Sequence, residues 1–99
     1  MTYTLEQIKD RVSDVAVRHG VQRVCLFGSY ARGDASSKSD VDLLVEKGKI
    51  KGLFALAGFV SDVEETLGMP VDIVTTDCLN IKFLENIKSE EVLLYEFIQ

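Results

Sequence analysis

Residues 28–45 read GSYARGDASSKSDVDLLV. Within them an apolar run, Val41-Asp42-Leu43-Leu44-Val45, carries one carboxylate inside it and a second, Asp40, directly before it. Side chains alternate across a strand, so Val41, Leu43 and Val45 take one face while Asp40, Asp42 and Leu44 take the other. Further along, Val71 and Ile73 share a face of another short run and Asp72 takes the opposite one. If the two runs are neighbouring strands, three carboxylates converge.

Like charges about 4 Å apart repel by roughly 4 kcal/mol at an effective dielectric near 20, so such a trio needs a partner. A divalent cation removes the penalty. Carboxylate oxygens suit Mg²⁺ or Mn²⁺, and the sequence has no Cys/His cluster to favour zinc. Upstream, Gly28 and Ser29 stand where the run Gln22 to Phe27 ends and a short helical turn can begin, leaving backbone N–H groups to face an anion. Glycine admits a phosphate close to the backbone; serine adds a hydroxyl donor. Phosphate cradle and metal-holding acids together describe metal-assisted phosphoryl or nucleotidyl transfer.

The flanking sequence sets the frame. Thr4-Leu5-Glu6-Gln7 has the form of a capping box, and Leu5, Ile8, Val12, Val15 and Ala16 follow at helical spacing until Gly20 stops the helix. Gln22 to Phe27 and Val41 to Val45 read as strands. Leu53, Leu56, Ala57, Val60, Val63 and Leu67 mark a helix closed by Gly68, with Phe54 and Phe59 off its stripe, either as core or as an exposed aromatic pair for a partner. Pro70 opens a third strand, Val71 to Thr75. Leu79, Phe83, Leu84 and Ile87 suggest a last helix, which Val92-Leu93-Leu94-Tyr95 either continues or follows as a strand. The expected order is α-β-α-β-α-β-α, in a compact α/β (α+β) fold with a small mixed sheet whose second and third strands join by a parallel crossover.

With 99 residues, 46% of them hydrophobic and 27% charged, the chain reads as one domain, residues 1–99, with a single core. Eleven Lys and Arg against sixteen Asp and Glu leave a net charge of −5, and the basic residues are scattered. That excludes a general phosphate-backbone footprint, so nucleic acid is not an expected partner. Cys25 and Cys78 lack CxxC spacing and read as reduced core thiols. The N-terminal segment is unlike a signal peptide and no stretch reaches membrane-spanning length, so a cytoplasmic protein without membrane contact is expected.

Gly28-Ser29, ten intervening residues, Asp40-Val41-Asp42 and the later Asp72 resemble the nucleotidyltransferase superfamily that includes DNA polymerase β. More narrowly, GSYARGDASSKSDVDLLV with MPVDIVT is similar to the minimal nucleotidyltransferases (MNT), commonly antitoxins paired with a HEPN-domain ribonuclease toxin. The resemblance implies the nucleotidyltransferase fold and spans almost the whole chain. It further implies that Gly28 and Ser29 hold the β and γ phosphates of ATP, that Asp40 and Asp42 ligate two Mg²⁺ ions, and that Asp72 completes the metal site and helps deprotonate the incoming hydroxyl. The implied reaction moves AMP onto a tyrosine hydroxyl of the toxin. A binding-only antitoxin and a small-molecule (antibiotic) nucleotidyltransferase are the alternatives, and a homodimer and a hetero-oligomer both stay open.

Other residues have plainer readings. Arg32 either contacts phosphate or is solvated. Asp34 fits turn chemistry, Asp77 a cap on the following helix with Thr75 or Thr76, and His19 a favourable place at a helix C-terminus.

Overall fold

A computed structural model describes residues 3–36, 39–77 and 80–98. Cys78 and Leu79 lie outside the described residues. Helix α1 spans Leu5–His19, and its start is the expected capping box: the Thr4 hydroxyl accepts from the Gln7 N–H while the Gln7 side chain accepts from the Thr4 N–H. Gly20, at φ 73°, ends it in the left-handed conformation that glycine adopts without a Cβ penalty. Then follow β1 (Arg23–Phe27), the short α2 (Gly28–Arg32), β2 (Val41–Glu46), α3 (Gly52–Leu67), β3 (Val71–Thr75), α4 (Ile81–Lys88) and β4 (Val92–Glu96). The terminal apolar run is therefore a strand.

The sheet order is β3-β2-β1-β4. β1 runs antiparallel to both β2 and β4, whereas β2 and β3 are parallel across the α3 crossover, as expected. These directions gather one end of the sheet. The C-terminal end of β1 lies beside the N-terminal ends of β2 and β3, with Phe27 opposite Asp42 and Asp42 opposite Asp72.

Alternation divides β2 between two cores. Val41, Leu43 and Val45 are buried with Ile8, Val12 and Val15 of α1 and Phe59, Val63 and Leu67 of α3. Leu44 packs on the other face with Cys25 of β1 and Ile87 of α4. Burial pushes the Cys25 thiol above its ordinary range, in keeping with a reduced core cysteine.

The α3 stripe is rotated from the expected one. Phe59 is fully buried, whereas Leu53 and Phe54 are 83% and 97% exposed. Leu56, Phe59, Val63 and Leu67 recur at three- and four-residue spacing and face the sheet, so the aromatic pair separates into one core residue and one surface residue. His19 also has a different role from the one its position suggests. Its Nε2 meets Asp62 Oδ2 at 2.6 Å and its ring packs edge-on against Phe59, tying α1 to α3.

Candidate active site

The gathered end of the sheet holds the motif residues. Gly28 follows β1 directly at φ 75°, and a Cβ built there would come within 2.2 Å of Asp42 Oδ2. Only glycine lets the α2 backbone approach the β2 carboxylate this closely. Tyr30 is buried and its hydroxyl approaches Met69 Sδ at 3.9 Å, which anchors the short helix in the main core. Ser29 closes α2, its carbonyl accepting from the Gly33 and Asp34 N–H groups at 3.0 Å each.

Asp42 is half-buried on the α4 face of the sheet. Its carboxyl pKa rises from 3.8 to about 6, first through burial, then through the charges of Asp72 and Asp40 and a hydrogen bond shared with Asp72, with Arg32 opposing weakly. Asp72, its register partner, is exposed at the start of β3, and Asp40 is exposed just ahead of β2. The structure thus brings Asp42 and Asp72 into contact and places Asp40 within electrostatic reach. It does not close the acids into a tight cage: among the described residues no group of three or more His, Cys, Asp or Glu side chains stands at metal-binding spacing.

The donor set nevertheless fits a hard divalent cation. Carboxylates crowded enough to push up the pKa of Asp42 are the groups a cation would neutralise.

Two residues that sequence reasoning did not single out complete the site. The Gly28 N–H donates to Glu90 Oε1 at 3.1 Å, and Arg32 Nη1 meets the two Glu90 oxygens at 3.4 and 3.3 Å. Arg32 Nε also reaches Asp34 Oδ2 at 3.3 Å, so Asp34 pairs with the arginine besides shaping its turn. Glu90 lies in the turn between α4 and β4, where nothing in periodicity or spacing marks it. Phe83 of α4 packs edge-on against Phe27 at 6.2 Å between centroids. Gly28, Ser29, Arg32, Asp42, Phe83 and Glu90 line one cavity of about 560 Å³. Another of about 570 Å³, beside Gln22 at the far end of β1, includes no carboxylate among its described lining residues.

Asp77 departs from its expected role. Asn80 caps α4, its side chain accepting from the Phe83 N–H at 3.0 Å. Asp77 instead accepts from the Thr75 hydroxyl and pairs with Lys47 Nζ at 2.8 Å.

The chain is similar to known proteins in sequence and in fold. A Methanocaldococcus jannaschii protein classed with the protein adenylyltransferases is 36% identical over 88 residues, covering 89% of this chain and 95% of its own. The protein adenylyltransferase MntA of Thermococcus cleftensis is 33% identical over 93 residues, covering 90% of this chain and 94% of its own. Among solved structures, one described as a minimal nucleotidyltransferase superposes with a TM-score of 0.78 at 36% identity, over 91% of this chain and 95% of that one. A complex of a tri-AMPylated HEPN toxin with its MNT antitoxin from Shewanella oneidensis shares the fold, with a TM-score of 0.72 at 16% identity over 95% of this chain and 74% of that one. Residues 5–97 match the nucleotidyltransferase domain, and the chain belongs to that family.

Proposed function

We propose that this nucleotidyltransferase transfers AMP from ATP to a tyrosine hydroxyl of a partner HEPN ribonuclease toxin and so acts as its antitoxin, in the cytoplasm. Gly28, Ser29 and Arg32 hold the terminal phosphates through a backbone N–H, a hydroxyl and a guanidinium. Asp40, Asp42 and Asp72 would hold two Mg²⁺ ions, which would supply charge neutralisation at the phosphate being transferred. Asp72, exposed at the rim, accepts the proton of the incoming hydroxyl. The hydroxyl oxygen bonds to the α-phosphorus, the α–β bridging bond breaks, and pyrophosphate leaves with that electron pair. The chain's own contribution is placement: the β1–α2 turn fixes the phosphates against the start of β2.

The observation that carries this reading is the Gly28–Asp42 approach. A half-buried carboxylate of raised pKa, with a glycine backbone held against it, is costly to the fold and useful for bringing phosphate and cation together. A binding-only antitoxin has no use for that cost. The relatives named as protein adenylyltransferases, and the AMPylated toxin in the Shewanella complex, support a protein acceptor over a small molecule.

The test is incubation with labelled ATP, Mg²⁺ and the small protein encoded beside this gene, followed by mass spectrometry of that protein. Addition of AMP by the wild type and its loss in Asp42→Asn are expected. Neutralisation of the toxin by Asp42→Asn with undiminished potency would replace transfer by simple binding.

A further inference from the structure

The cavity contains a carboxylate that the transfer reaction leaves without a task. Glu90 takes the Gly28 N–H at 3.1 Å and the Arg32 guanidinium at 3.3 Å. Those two donors are the ones the proposed reaction gives to phosphate, and a carboxylate presents them with the same negatively charged oxygens. One N–H and one guanidinium edge cannot serve both anions at these distances.

We propose that Glu90 is the resident anion of the phosphate cradle, held by Gly28 and Arg32 until the terminal phosphates of a nucleoside triphosphate displace it, and that it thereby sets triphosphate affinity. This rests on the nucleotidyltransferase reading of the site. Gly28 is buried, and a buried N–H left without an acceptor is costly, so a placeholder keeps the empty cradle satisfied. Glu90 is built to leave. Its side chain is about one-third exposed, and its backbone is fixed by donation of its N–H to the Ile87 carbonyl at 3.0 Å, so a side-chain rotation alone clears the donors. Arg32 keeps Asp34 as a partner when Glu90 swings away.

The alternative role is structural, with Glu90 pinning the α4–β4 turn to α2. The two roles predict opposite binding results. Wild type, Glu90→Gln and Glu90→Ala are titrated calorimetrically with ATP, inorganic triphosphate and AMP in Mg²⁺, and each is melted without ligand. A cradle occupied by Glu90 most of the time lowers apparent affinity by the open fraction, so both variants are expected to bind ATP and triphosphate about tenfold more tightly. AMP, which lacks the terminal phosphates, should change by less than about twofold.

Unchanged or weaker triphosphate binding overturns the proposal, as does an equal gain for AMP, which would report only the loss of a negative charge. A lowered melting temperature without tighter binding assigns Glu90 the structural role. AMP transfer to the partner is measured separately on the wild type. Transfer with no affinity gain in the variants removes Glu90's role and leaves the function standing; an affinity gain without transfer does the reverse.

Discussion

Gly28 and Asp42 compete for the same few ångströms, and the fold gives the space to the carboxylate. Any side chain at position 28 must both adopt φ 75° and displace Asp42 Oδ2, which lies 2.2 Å from where the Cβ would go. The left-handed conformation alone costs an L-residue about 1–2 kcal/mol, and moving the carboxylate adds to it. Gly28→Ala is therefore expected to lower stability by about 2–3 kcal/mol and to abolish ATP binding, as read by chemical denaturation and calorimetry. Wild-type ATP affinity in that variant would mean that the close approach is irrelevant to the site. Ser29→Ala removes one hydroxyl and leaves the backbone in place. It should reduce nucleotide affinity by about 1–2 kcal/mol at most, far less than Asp42→Asn reduces turnover.

At the scale of elements, what could be read from the sequence was what neighbouring residues decide among themselves. The capping box at Thr4, the stop at Gly20 and the β2–α3–β3 crossover are local or nearly so, and all are present. The run at Val92 is too short for periodicity to separate helix from strand, and its conformation is settled by distant partners. β4 pairs with β1, Leu94 enters the main core, and the Leu94 carbonyl accepts from Ser13 of α1 at 3.0 Å. Leu94→Ala should then cost about 2–4 kcal/mol, whereas Leu93→Ala, at a half-exposed position, should stay within about 0.5 kcal/mol. Equal costs would mean that β4 does not turn Leu94 inward and Leu93 outward.

The α3 stripe escaped for a related reason. With Leu53, Phe54, Leu56, Phe59 and Val60 all apolar, several faces compete, and contact with α1 selects the one containing Phe59. His19 and Asp62, 43 residues apart, meet only because that choice turns Asp62 toward α1. Removing their bond in Asp62→Ala should lower stability by about 0.5–1.5 kcal/mol with AMP transfer unchanged; a lost activity would place this helix contact in the catalytic path. The gathering of Gly28, Ser29, Asp40, Asp42 and Asp72 at one end of the sheet was legible because strand alternation and the turn place them there. Glu90 was not, because only the packing of α4 against the sheet carries its turn to Gly28.

For the molecule as a whole, the acidic site links function to stability through pH. An ordinary carboxyl titrates near 3.8, whereas Asp42 in the fold titrates near 6. Between those values the folded chain holds a proton that the unfolded chain has released, so this group's contribution to stability falls as pH rises from about 4 to about 6 and is lost above that. Asp42→Asn cannot ionise. Its stability should match the wild type near pH 4 and exceed it at pH 7.5 by about 1–2 kcal/mol, allowing for solvent screening at a partly exposed carboxyl. That difference corresponds to a melting temperature raised by roughly 4–15 °C for a chain of this size. Mg²⁺ should narrow the gap by stabilising only the wild type, and most at the higher pH, because the cation needs the deprotonated carboxylate. The kcat/KM of AMP transfer should rise with pH through about 6, following the same proton in the free enzyme. Melting curves of the two proteins from pH 4 to pH 8, with and without Mg²⁺, measure the stability side of this linkage, and initial rates over the same range measure the catalytic side. A gap that is constant across that range, or that Mg²⁺ leaves untouched, would show that Asp42 carries no suppressed charge for a cation to relieve.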